Sequence, residues 1–135
     1  QAVGVKAQPV NVDFGQLNRQ VRTGAFDVAR WSYFASFDDP IALLQLYVGD
    51  NTNNYAGYLN PEYDRLLLDS NVTGDPAARR ELLEKAETIL VRDAPIIPIY
   101  DYVRRYRVAP GVQGWVASGG GPTRSRLLSV QPPAP

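Results

Sequence analysis

The chain lacks the two side chains on which much enzyme and metal chemistry depends, because its 135 residues include no histidine and no cysteine. Ser-His-Asp and Cys-His catalysis are therefore excluded within the chain, and so are disulfides and thiolate sites. A mechanism that uses carboxylates alone stays open, although no pair of acidic residues stands out. Asp38, Asp39 and Asp50 lack the spacing of a calcium-binding loop, and helix capping explains them better, so we predict no metal site.

Arg30 is the charged side chain whose position most needs an explanation. It lies towards the end of residues 26–34, which are apolar and aromatic and predict a buried strand. A guanidinium in such a place needs a partner. An ordinary salt bridge to Asp38 or Asp39 would supply one.

Three tyrosines recur at even spacing near the end of the chain. Tyr100, Tyr102 and Tyr106 belong to residues 96–107, which we predict to form one or two strands interrupted by Pro98. Side chains at period two share one face of a strand. The preference of tyrosine for strands is sufficient to explain this pattern.

The composition is that of a globular protein, with 44% hydrophobic and 21% charged residues. Fourteen basic residues balance 14 acidic ones, so the formal net charge of the chain is zero. A chain without net charge exerts no long-range attraction on nucleic acid. No apolar stretch is long enough to cross a bilayer. Because the chain starts at Gln1 and contains no methionine, we expect it to be a segment of a longer protein.

The elements that must position these side chains alternate between strand and helix. Residues 3–12 predict a strand, residues 14–23 a helix that Asp13 caps and Gly24 ends, and residues 26–34 a second strand. A strand, a helix and a strand within about thirty residues form a β-α-β unit with parallel pairing. The fold class predicted from this order is α/β.

Three further helices are predicted from their caps. Residues 41–47 follow Asp39 as N-cap and Pro40, residues 61–70 follow Asn60, and residues 76–93 follow Asp75. The last helix has an apolar face predicted from helical spacing: Ala78, Leu82, Ala86, Ile89 and Leu90. From Pro110 onwards glycine and proline dominate, so we predict a loop-rich tail in which residues 131–135 are disordered.

Four blocks of this sequence stand in a fixed order. They are residues 26–31 with the Asp39-Pro40 pair, residues 54–67, residues 79–90 and residues 93–100. In order and spacing these blocks resemble the oligopeptide/dipeptide-binding family of extracytoplasmic solute-binding proteins, family 5, which serve ABC transporters. The resemblance covers nearly the whole chain.

The resemblance implies part of a two-lobed periplasmic-binding-protein-like fold. Residues 1–108 would be the later part of the second ligand-binding lobe, and residues 109–135 the crossover to the first lobe with the loop-rich tail. The expected partners are a short peptide or another small solute, an ABC permease in the membrane and the missing N-terminal lobe of the same protein. The expected location is the periplasm, or a lipid anchor on the outer face of the cytoplasmic membrane of a bacterium, and no cofactor is implied.

The resemblance also implies ligand-binding residues. Arg30 would pair in a bidentate fashion with the C-terminal carboxylate of a peptide, and Tyr102 would contact ligand near the lobe crossover. Tyr33 and Phe34 would face the ligand backbone, and Phe14 would form an aromatic wall for a ligand side chain. Plain core packing is the alternative for these aromatic residues.

Ser36 is the main departure from the family pattern, since peptide-binding members carry an aspartate there that pairs with the ligand's α-ammonium group. A serine hydroxyl accepts a hydrogen bond but offers no charge. Either Asp38 takes over this role, or the ligand has no free amino terminus. The alternatives are then a nickel chelate, an oligosaccharide, an opine or haem as ligand, or a sensor module. An enzyme is disfavoured, because the chain also lacks a glycine-rich phosphate loop: the glycine run 119–121 precedes Pro122 and no helix.

Overall fold

Helices dominate the part of the chain that the structure describes. This computed structural model describes residues 4–102, 105–116 and 125–131. In chain order its elements are α1 (Phe14–Thr23), α2 (Ile41–Leu44), a 3₁₀ turn (Gln45–Tyr47), α3 (Pro61–Val72), α4 (Pro76–Asp93), β1 (Val112–Gln113), a second 3₁₀ turn (Ser125–Leu127) and β2 (Ser129–Val130). The glycine run 119–121 and the end of the tail from residue 132 lie outside the described residues.

The predicted helices are confirmed, and their caps explain where they begin. The Asp13 carboxylate accepts from the backbone N–H of Gln16 at 3.0 Å, and Gly24 ends α1 with a φ of 68°. Asn60 and Asp75 cap α3 and α4 through their side-chain oxygens. At α2 the N-cap is Pro40, whereas Asp39 was predicted.

The predicted β-α-β unit is wrong for the described residues. Neither segment that flanks α1 is in a strand, and the strand pairing that the described residues show is antiparallel, between β1 and β2, with Val112 opposite Val130. Residues 26–34 are not buried either, since Val28 is 85% exposed. An apolar pattern favours an extended chain, but a strand also requires a neighbour that completes its hydrogen-bond ladder. The described residues supply no such neighbour to these segments or to residues 96–102.

The core lies between α3 and α4, with α2 packed across them. Tyr63 is fully buried, and its hydroxyl donates to the Leu44 carbonyl at 2.6 Å, which joins α3 to the end of α2. The buried core residues are Ile41, Leu44, Tyr63, Leu67, Leu83, Ala86, Ile89 and Leu90.

The apolar face predicted for α4 is right in its second half and wrong in its first. Ala86, Ile89 and Leu90 are buried, whereas Ala78 is exposed and Leu82 is half-buried. Leu83 takes the place of both, because positions 83, 86 and 90 follow the i, i+3, i+7 spacing of one helix face.

The polar loop between α2 and α3 is held at both of its ends. Its Asn54 side chain donates to the Tyr58 carbonyl at 2.7 Å and accepts from the Tyr58 N–H at 3.1 Å. At the start of the loop, the Asp64 carboxylate of α3 accepts from the Gly49 N–H at 3.2 Å. At its end, the Asp93 carboxylate of α4 accepts from the Tyr58 hydroxyl at 2.7 Å. These bonds fix the loop that carries Tyr55.

Candidate functional site

Arg30 lies beside two tyrosines from a distant part of the chain. Its Nη2 donates to the Tyr100 hydroxyl at 2.9 Å and to the Tyr102 hydroxyl at 3.0 Å. The rings of the two tyrosines meet edge to face with centroids 4.9 Å apart. The hydrogen bond to Tyr100 is the largest cause that raises the pKa of Arg30, so the guanidinium is firmly cationic.

Tyr102 is the centre of this group. Hydrogen bonds to Tyr100 and to Ser32 lower the pKa of the Tyr102 hydroxyl, and the charge of Arg30 lowers it further. The Phe34 ring lies 5.9 Å from the Tyr102 ring. Arg30, Ser32 and Phe34 therefore all meet Tyr102, which is the alternation expected of an extended segment. We call Arg30, Ser32, Phe34, Tyr100 and Tyr102 the arginine–tyrosine cluster.

The residue between Arg30 and Ser32 belongs to a second group. Trp31 stacks on Phe14 with ring centroids 5.9 Å apart and 14° between the planes, and it meets the edge of Tyr55 at 5.7 Å. The Arg22 guanidinium lies 5.7 Å from the centre of the Tyr55 ring, a cation–π contact. We call Phe14, Arg22, Trp31 and Tyr55 the tryptophan cluster. It joins α1 to the loop between α2 and α3.

The structure thus divides the predicted ligand-binding residues. Arg30, Phe34 and Tyr102 come together in the arginine–tyrosine cluster, while Phe14 lies in the tryptophan cluster. The other three, Tyr33, Ser36 and Asp38, are exposed, and none of them makes a hydrogen bond or an ion pair with another described residue.

The alternative salt bridge between Arg30 and Asp39 is not formed. Asp39 instead accepts hydrogen bonds from both Nη groups of Arg79, at 2.9 and 3.0 Å, in a bidentate pair that links the start of α2 to α4. This pairing with Arg79 lowers the pKa of the Asp39 carboxyl. In the described part of the chain Arg30 has no carboxylate partner.

Sequence reasoning missed several members of the two clusters. Tyr100 had a signal, since it shares even spacing with Tyr102, and Ser32 shares even spacing with Arg30. Trp31 could have been separated from Arg30 by the same alternation. Nothing in the sequence indicates that Tyr55, from a polar loop, meets Trp31.

The chemistry available to the arginine–tyrosine cluster is binding through hydrogen-bond donors. Arg30 contributes a permanent positive charge, and the tyrosines contribute hydroxyls beside aromatic faces. Within residues 4–102, 105–116 and 125–131, no group of three or more acidic, histidine or cysteine side chains could hold a metal ion. Two surface depressions of about 440 and 670 Å³ lie along the helices, and neither is lined by a residue of the two clusters.

A search for membrane-spanning helices among the described residues finds none that is long and apolar enough to cross a bilayer.

The comparisons with family models find no match. Individual proteins do match. The chain is 39% identical over 92 residues to the periplasmic oligopeptide-binding protein OppA of Salmonella typhimurium, a match that covers 68% of this chain and 17% of that protein.

Two solved structures have a similar fold. The unliganded open form of the periplasmic murein tripeptide-binding protein MppA superposes with a TM-score of 0.76 and 30% identity, over 83% of this chain and 22% of that one. OppA of Haemophilus influenzae in complex with the peptide RPPGFSPFR superposes with a TM-score of 0.74 and 32% identity, over 90% of this chain and 24% of that one.

The chain spans about a fifth of the length of these relatives. All three are binding proteins by name. The similarities confirm the predicted fold class, which is α/β and part of a larger two-lobed periplasmic-binding-protein-like fold.

Proposed function

We propose that the complete protein captures a short peptide or a similar small solute, because this chain belongs to the oligopeptide/dipeptide-binding family of extracytoplasmic solute-binding proteins. It would be the substrate-binding component of an ABC transporter and would release its ligand to a membrane permease. Residues 1–108 would belong to the second lobe, and residues 109–135 to the crossover and tail. The proposed location is the periplasm or the outer face of the cytoplasmic membrane, and neither catalysis nor a cofactor is part of this function.

The arginine–tyrosine cluster is the observation that carries this proposal. Arg30 is exposed and held by two neutral hydroxyls, and no described carboxylate neutralises it. A fixed cation of this kind suits an anionic group such as the C-terminal carboxylate of a peptide. Phe34 and the rings of Tyr100 and Tyr102 offer apolar surface beside that charge, which is the usual composition of a small-molecule site.

Ser36 supports a second candidate, a ligand without a free amino terminus. Neither Ser36 nor the nearby Asp38 is engaged by another described residue, so Asp38 is available to a ligand while Ser36 supplies no charge. An α-ammonium group that loses water needs a charged or fully hydrogen-bonded partner. If Asp38 does not supply it, the ligand is an N-blocked peptide, a sugar, an opine, haem or a metal chelate.

A thermal-shift panel on the complete protein, stripped of ligand, tests both candidates. The panel contains di- to pentapeptides, their N-acetylated copies, sugars and nickel chelates. A ligand at one hundred times its dissociation constant stabilises the fold by about 2.7 kcal/mol, which raises the melting temperature by several degrees. We expect the peptides to raise it. A panel in which no compound does so contradicts solute capture.

Two variants at position 36 separate the candidates. Ser36→Asp introduces a charge for an ammonium group, and Ser36→Asn introduces a side chain of similar size without charge. If the cleft places an amino terminus near this position, Ser36→Asp strengthens binding of free peptides relative to acetylated ones, and Ser36→Asn does not. If both variants bind free and acetylated peptides in the same ratio, the amino terminus of the ligand lies elsewhere or the ligand has no free amino terminus.

A further inference from the structure

Arg30 is fixed through a single nitrogen. Both of its hydrogen bonds to described residues come from Nη2, and they go to the Tyr100 and Tyr102 hydroxyls. Nη1 and Nε make no hydrogen bond with another described residue. A guanidinium has five N–H donors in a rigid plane, so holding Nη2 also orients the other donors. Nη1 and Nε, which bond no described residue, are therefore presented in a fixed direction although the side chain is exposed.

Tyr100 acts on both of the groups that would meet a ligand. Its hydroxyl accepts from Arg30 at 2.9 Å, and its ring packs against the Tyr102 ring at 4.9 Å. Its hydrogen bond to Tyr102 is also the largest cause that lowers the pKa of the Tyr102 hydroxyl, which makes that hydroxyl a stronger donor. Tyr100 is 58% exposed, so its hydroxyl is not needed to satisfy a buried core.

We propose that Tyr100 is a positioning residue for anion recognition, which holds Arg30 and Tyr102 so that the free guanidinium nitrogens and the Tyr102 hydroxyl receive a carboxylate of the ligand. This inference rests on the proposed capture of a peptide or similar solute. Because the rotamer of Arg30 is fixed before the ligand arrives, less side-chain freedom is lost on binding. The Tyr100 hydroxyl would thus contribute to affinity for the carboxylate and to no other part of the ligand.

The test uses Tyr100→Phe in the complete protein, which removes the hydroxyl and keeps the ring. Isothermal titration calorimetry compares two probes, trialanine and trialanine amide, which differ at the C-terminal carboxylate. We expect Tyr100→Phe to weaken binding of trialanine roughly 3-fold to 10-fold, the usual effect of one hydrogen bond, and to leave binding of the amide unchanged. Tyr106→Phe is the matched control, since the Tyr106 ring contacts Trp115 at 5.1 Å and lies outside the cluster; it should change neither probe.

Any other result of this experiment overturns the positioning role of Tyr100. Tighter binding of trialanine by Tyr100→Phe would mean that the phenol competes with the ligand for Nη2, which overturns the positioning role. An equal change for both probes, or no change, overturns it too and leaves peptide capture intact. A wild-type protein that binds neither probe refutes capture of this peptide class and the inference with it.

Discussion

Two adjacent leucines in α3 provide a sharp test of the core that supports the site. Leu67 is 2% exposed and belongs to the cluster between α3 and α4, whereas Leu68 is 60% exposed. Replacing a buried leucine by alanine costs about 2–5 kcal/mol, because both the transfer free energy and the packing around the new cavity are lost. The same replacement at an exposed position usually changes the free energy of unfolding by less than about 0.5 kcal/mol.

Hydrogen–deuterium exchange measured by mass spectrometry on the complete protein reads this local stability. For Leu67→Ala we expect amides of α3 and α4 to exchange roughly 30-fold to 5,000-fold faster, which is the above cost expressed as an opening equilibrium. The matched variant Leu68→Ala should leave their exchange within about threefold of wild type. Similar effects of the two variants would refute the assignment of this face of α3 to the core.

Two further predictions concern polar groups at the ends of the helices. Tyr63→Phe removes the donor to the buried Leu44 carbonyl, so we expect a loss of about 1–3 kcal/mol in the same exchange experiment, and a loss below about 0.5 kcal/mol would contradict it. The hydrogen bond from Tyr58, followed by that from Arg92, lowers the pKa of Asp93 to about 2. Because the pKa of an unfolded aspartate is about 3.9, the stabilisation by the Asp93 carboxylate is present above that pH and is lost as the pH falls towards 2. The stability difference between wild type and Asp93→Asn should therefore shrink between about pH 5 and pH 2, and a difference independent of pH would exclude this cause.

The helices could be predicted because the signals that start them are local. Asp13, Asn60 and Asp75 each cap a helix with their own side chain, within three residues of the groups that they satisfy. The position of the core on α4 was harder to predict, since the adjacent Leu82 and Leu83 both lie at helical spacing from Ala86. Only the packing against α3 distinguishes the two, and packing is a property of the tertiary structure.

The strands could not be predicted correctly, because a strand depends on a partner that the local sequence does not specify. Residues 26–34 have the composition of a buried strand, yet no described segment completes their ladder. The similar structures are about four times as long as this chain, so the partners of these segments are to be sought in the rest of such a fold. The fold class was predictable from the resemblance, and the pairing was not.

In the candidate site, the side chains of the extended segment around Arg30 alternate between two faces, as they would in a strand of a sheet. Arg30, Ser32 and Phe34 meet Tyr102, while Trp31 meets the tryptophan cluster, so the period of two holds although no described residue forms ladder hydrogen bonds with this segment. Alternation therefore divides a segment into two faces, but it does not say which distant residues each face meets. Tyr100 lies seventy residues from Arg30, and Asp39, one of the two carboxylates that the sequence offers to Arg30, pairs with Arg79 instead. Because no carboxylate among the described residues pairs with Arg30, its described partners are neutral hydroxyls, and this is why we propose a ligand carboxylate as its partner.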